Sequence, residues 1–206
     1  YSFGLRQQLF ALYGGREAEG VVVTDERSPS YGAALASSTF CGVLPGWGWS
    51  GRMEDAVLHG CIPVVLQDGV HTPWESVLEW EQYAVRVERK QMPRLLEILR
   101  AVGDGEVRAR QAALQRVWSR FAYSGVIAAE GARRRGEAKK GAAVGGGGGA
   151  PDAVDTLLEV LHVRLLRREA RAAGGGAAAA RPADGCRVLQ AGDEVSPPLA
   201  GEAPDY

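Results

Sequence analysis

Apolar positions recur along the chain with two alternating periods. Leu5, Leu9, Phe10 and Leu12 share a helical face over residues 4–13, and Gly14-Gly15 stops it. Val21 to Thr24 is a short β-branched run, read as a strand with Asp25 at its carboxyl end. Tyr31, Ala34 and Leu35 predict a short helix over Tyr31 to Ser38. An apolar strand follows at Phe40 to Leu44, then a loop rich in glycine, a helix over Arg52 to Leu58, a stop at Gly60 and a second strand at Cys61 to Leu66. That is one βαβ unit, and the chain is organised around it.

Downstream, Trp74, Val77, Leu78 and Trp80 predict a short helix, and the alternation in Tyr83 to Val87 predicts a strand. Leu95, Leu96, Ile98, Leu99 and Val102 repeat at helical spacing after Pro93, and Val107, Leu114, Val117, Trp118 and Phe121 form another helical face. Pro63 is the awkward residue: it lacks an N–H, yet falls inside a predicted strand. Strands alternating with helices predict an α/β fold with a parallel sheet.

Composition divides the chain of 206 residues unevenly. Residues 1–123 hold nearly all the aromatics and form the predicted α/β domain. Residues 124–151 are basic and then Gly/Ala-rich, an expected flexible insertion. Residues 152–168 begin with Asp152 as a predicted N-cap and carry Val154, Leu157, Leu158, Leu161 and Leu165 as an amphipathic stripe. Residues 169–206 are low in complexity and expected to be disordered. Tyr1 begins inside a patterned segment, which reads as a fragment or a processed chain.

The net charge of −1 points to no nucleic-acid partner, and the arginines of 133–140 and 164–171 lack interleaved aromatics. No apolar run approaches the ~18 residues of a membrane span. Three cysteines are too few for a disulfide framework; Cys41 and Cys61, inside apolar runs, read as buried free thiols. Three histidines without paired Cys/His spacing indicate no metal site.

The loop between the central strand and helix carries the candidate chemistry. Gly46, Gly48 and Gly51 permit close approach of backbone to a ligand. Ser50 is a natural N-cap that could also donate to a phosphate. Arg52 opposes the helix dipole where it stands, a small cost that pairing with an anion would explain. Either Glu54 or Asp55 could face a ligand, because adjacent helical residues point about 100° apart. Trp47 and Trp49 could stack on a ring or pack on the neighbouring loop. His59, beside the Gly60 stop, reads as a C-terminal cap, and His71 is poorly supported as a base.

Taken in order, Ser37-Ser38-Thr39-Phe40-Cys41, Pro45-x-Gly, Ser50-x-Arg52-x-x-Asp55-Ala56, Gly60-Cys61-Ile62-Pro63-Val64, Pro73-Trp74 and Leu78-x-Trp80 resemble the exostosin family of glycosyltransferases. Tyr1-Ser2-x-Gly4-x-Arg6 resembles the family's basic segment upstream. Trp74 and Glu79 depart from it, since the family usually has Phe and Asp there. The resemblance covers about residues 1–122 and 151–166, and the intervening insertion is of a kind common in green algae.

The resemblance implies a Rossmann-like parallel sheet flanked by helices, forming the C-terminal, nucleotide-sugar-binding half of a GT-B fold. It implies transfer from a UDP-sugar to a glycan acceptor, mostly with inversion, without a required metal or other cofactor. It places Arg52 on the leaving diphosphate, Asp55 on the ribose, and Arg6 across the crevice, beside Gly46, Gly48, Ser50 and Gly51. No residue stands out as the general base. Residence on the lumenal side of the Golgi membrane and association with another exostosin-like chain are also implied. Two other readings stand beside this one: a non-catalytic partner subunit, and a basic nucleic-acid-binding tail on an α/β scaffold.

Overall fold

The computed structural model describes residues 2–46, 50–69, 71–123 and 150–172, with residues 125 and 128 singly. Its centre is a parallel sheet of three strands in the order β1 (Phe40–Val43), β2 (Ile62–Val65), β3 (Val85–Arg86). β1 and β2 are joined through helix α3 (Arg52–Leu58), with Phe40 opposite Ile62 and Val43 opposite Val65. The central βαβ unit is thus formed as its pattern predicts.

β2 is buried along its whole length, as a central parallel strand must be when both faces are covered. On one face Val64 and Leu66 pack with Leu5, Leu9 and Tyr13 of α1 (Leu5–Tyr13) and with Leu95 of α4 (Leu95–Arg100). On the other, Val43 and Val65 pack with Met53 and Val57 of α3, Ala113 and Leu114 of α5 (Asp104–Val117), and Phe121. The result is three layers, helix on sheet on helix.

Pro63 fits without loss. Ile62 N–H donates to Thr39 O and Leu66 N–H to Val43 O, so even-numbered amides of this strand face β1. The odd-numbered Pro63 faces the other way, where β3 has not yet begun, since that pairing starts at Val64 opposite Val85.

Four expectations are corrected. Val21 to Thr24 is extended but pairs with no described strand; Val21 and Val23 lean on the core while Val22 is exposed. A β-branched run without a neighbouring edge has no ladder to join. The segment Trp74 to Leu78 is a series of turns, not a helix, with Trp74 at φ 62°. The predicted strand Tyr83 to Val87 is reduced to two residues, because Trp80–Gln82 forms a 3-10 turn leading into it.

The fourth correction concerns the thiols: Cys41 and Cys61 form a disulfide with Cα atoms 5.8 Å apart. Cys41 lies opposite Pro63, which places Cys61 diagonally across from it at bonding distance. Counting cysteines does not reveal this; strand register does.

The late helix, α6 (Ala153–Ala172), extends through the expected boundary at 168. Asp152 caps it, its carboxylate accepting from Val154 N–H at 2.8 Å and Asp155 N–H at 3.2 Å. The expected insertion and tail lie mainly outside the described residues.

Candidate functional site

The carboxyl ends of β1 and β2 open onto the loops after them, the place where parallel sheets bind ligands. The loop after β1 leads directly into α3. Ser50 is buried, and its hydroxyl accepts from Arg52 N–H at 3.4 Å. Gly51, not Ser50, occupies the cap position of α3. The helix has seven residues, so its dipole is modest and side chains carry most of the electrostatics.

Met53, Ala56 and Val57 turn inward and anchor α3 to the sheet. That leaves Arg52, Asp55 and His59 along the flank facing α2 (Tyr31–Ser37). Gly32 permits the approach of the two helices, since a Cβ there would lie 3.0 Å from His59 Nε2. His59 Nδ1 lies 2.7 Å from Asp55 O and the chain turns at Gly60, φ 72°, so the C-terminal cap role fits.

Tyr31 connects two of the candidate residues. Its hydroxyl donates to Asp55 Oδ2 at 2.9 Å, and the Arg52 guanidinium lies over its ring, 5.5 Å from the centroid. Burial first, then the bond to Asp55, raises the phenol pKa, so the hydroxyl stays protonated as donor. Sequence reading assigned Tyr31 only a place on a helical face. The signal that could have found it is spacing: a polar-tipped aromatic opening the helix that precedes the glycine-rich loop.

Arg6 approaches the same loop from α1, its guanidinium donating to Pro45 O at 3.5 Å. Arg6 and Arg52 therefore stand at the two ends of the loop, with Gly46 beside Pro45. Gly48, Trp47 and Trp49 lie outside the described residues. Glu54 points away from this flank: it is half-buried, and burial first, with Asp55 nearby, raises its carboxyl pKa.

A second polar cluster follows β2. The buried Glu75 carboxylate accepts from Thr72 N–H at 2.6 Å and from the Arg86 guanidinium at 3.1 Å, and Arg86 also stacks on Trp80. His71 Nδ1 lies 3.6 Å from Glu75 Oε2. This cluster fastens the loop after β2 to the end of β3. Among the described residues no group of three His, Cys, Asp or Glu side chains could hold a metal.

A three-stranded parallel sheet with helices on both faces is a Rossmann-like α/β architecture, of the kind found in half of a GT-B enzyme. Residues 4–102 match the Exostosin GT47 domain. The chain is 30% identical over 112 residues to a probable glucuronoxylan glucuronosyltransferase of Arabidopsis thaliana, covering 54% of this chain and 24% of that protein. It is 34% identical over 100 residues to a probable glucuronosyltransferase of rice, Oryza sativa subsp. japonica, covering 48% and 23%. Against a probable glucuronosyltransferase of the moss Physcomitrium patens the identity is 33% over 90 residues, covering 43% and 20%. The chain thus spans a quarter or less of the length of these relatives.

Proposed function

We propose that this chain is the donor-binding part of a glycosyltransferase that moves a sugar from a UDP-sugar to a polysaccharide acceptor with inversion. The observation that carries the reading is the coincidence of the exostosin match with the Arg6–loop–Arg52 arrangement at the carboxyl edge of the sheet. Glucuronic acid is the sugar favoured for the donor, after the names of the relatives.

In this reading Arg52 pairs with the diphosphate and Arg6 approaches it from the other end of the loop. The acceptor hydroxyl attacks the anomeric carbon, and the bond to UDP breaks. The departing UDP gains negative charge, so fixed cations lower that barrier more than they stabilise the bound donor. Asp55, held by Tyr31, takes a ribose hydroxyl. A general base takes the proton of the attacking hydroxyl, and none of the described residues is assigned that part. The Cys41–Cys61 disulfide supports folding in an oxidising compartment, in keeping with a lumenal Golgi setting.

The non-catalytic alternative draws on one observation: Asp55 already has a partner within the fold, so its bond to Tyr31 could serve only to join α2 to α3. Calorimetric titration with UDP and UDP-glucuronate separates the readings. The donor-site reading expects binding that weakens about tenfold or more in Arg52→Ala. A folded chain that binds neither nucleotide overturns it.

A further inference from the structure

We infer that Tyr31 is a positioning residue of the donor site, holding Asp55 through its hydroxyl and Arg52 through its ring; the inference rests on the donor-site reading above.

Three observations converge on it. First, Tyr31 makes both contacts at once, a 2.9 Å hydrogen bond to Asp55 Oδ2 and a cation–π contact to Arg52. Arg52 and Asp55 are one helical turn apart on α3, so a single aromatic side chain spans the pair. Second, Tyr31 has little else to do. It is 37% exposed, no residue of α2 is buried, and Ser30 before it makes no side-chain cap bond. A tyrosine placed for core packing would be covered; this one is placed against two charged side chains. Third, α2 is brought close by Gly32, where a Cβ would crowd the His59 ring.

The contacts have a chemical consequence. An exposed arginine samples many rotamers, and fixing it costs entropy when a ligand binds. A ring beneath the guanidinium limits that sampling while leaving the N–H donors at its edge available. The bond to Oδ2 fixes the plane of the Asp55 carboxylate and leaves Oδ1 as the oxygen with no described partner. Asp55 is thereby suited to one ribose hydroxyl through Oδ1, not to a symmetrical grip on two.

The test is UDP titration of the 206-residue chain in wild type, Tyr31→Phe, Tyr31→Ala and Asp55→Ala, with Tyr31→Phe repeated in the Asp55→Ala background, and thermal unfolding of each. Tyr31→Phe keeps the ring and loses only the hydroxyl; it is expected to weaken UDP binding about three- to tenfold with little change in melting temperature. Tyr31→Ala loses both contacts and is expected to weaken it further. In the Asp55→Ala background, Tyr31→Phe is expected to change affinity no further, a non-additivity that a purely structural tyrosine would not show. Should Arg52→Ala and Asp55→Ala weaken UDP binding while Tyr31→Phe binds as wild type, the inference falls and the donor site stands. Should the folded wild type bind no UDP, the donor-site reading falls and takes the inference with it.

Discussion

Helices α3 and α6 both come from clear apolar periodicity, and they meet different fates. α3 is seven residues long and turns Met53, Ala56 and Val57 wholly inward. α6 is 20 residues long, yet its buried residues are Ala153, Thr156 and Val160. Its leucine stripe, Leu157, Leu158, Leu161 and Leu165, is about half exposed. The helix is attached by a different face, where Arg120 pairs with Glu159 and donates to Thr156 Oγ1 at 3.5 Å. Periodicity establishes that a segment is helical; it does not say which face finds a partner. A short helix between two paired strands has its inward face dictated by the sheet. A long helix outside the βαβ unit has no such constraint.

The strongest way to break this contrast is to empty the α3 core. Met53 is fully buried beside Val43, Val57 and Ile62. Met53→Ala is expected to cost about 2–5 kcal/mol in chemical denaturation. A loss below about 1 kcal/mol would mean that α3 is not anchored as described.

The disulfide comes next. It closes a loop with a sequence separation of 20, enclosing the whole β1–α3 connection. Cys61→Ser is expected to cost about 3 kcal/mol, chiefly by freeing the unfolded chain. Because both cysteines are buried, the native bond is expected to resist mild reductant until the chain is partly unfolded. Thiol titration with and without denaturant checks this, and ready labelling of the native chain would contradict it.

On α6 the expected effect is small. Leu161→Ser changes a half-exposed side chain and is expected to alter stability by under about 0.5 kcal/mol. A loss of 2 kcal/mol or more would show the stripe covered by another part of the protein, and α6 would then resemble α3 after all.

What was legible in the sequence follows the same division. The βαβ unit was, because Phe40 to Leu44, the glycine-rich loop, Arg52 to Leu58 and Cys61 to Leu66 each carry a local signal. A motif keeps Ser50, Arg52 and Asp55 in sequence order, and the structure sets Arg52 and Asp55 one turn apart on α3. The contacts of Tyr31 with Arg52 and Asp55 were not legible, because they depend on α2 lying beside α3, with Tyr31 and Asp55 24 residues apart. The disulfide was hidden for a like reason, since it depends on the register of β1 against β2. The Val21 to Thr24 run and the Trp74 turns show the converse: local apolar character without a tertiary partner of the matching kind.

The smallest effect distinguishes the two carboxylates of α3. Asp55 bonds to Tyr31, whereas Glu54 is half-buried with Oε2 shut away from solvent, and burial raises its pKa above the ordinary carboxylate value. A carboxyl raised on folding favours the folded state at low pH, where it is protonated in both states or held protonated by the fold. That contribution is lost as pH rises through the folded value, because the ionised group must then sit half-buried. Glu54→Gln removes the titration. It is expected to raise the melting temperature at neutral pH by no more than about 2 °C, discounted for the partial exposure of the site. The advantage should shrink on acidification and vanish below about pH 4, where glutamate too is neutral. Asp55→Asn, by contrast, should show no stabilisation at neutral pH, since its carboxylate accepts a hydrogen bond there. Melting curves of the two variants from acid to neutral pH test the assignment, and an advantage for Asp55→Asn equal to that for Glu54→Gln would erase the distinction between the two faces of α3.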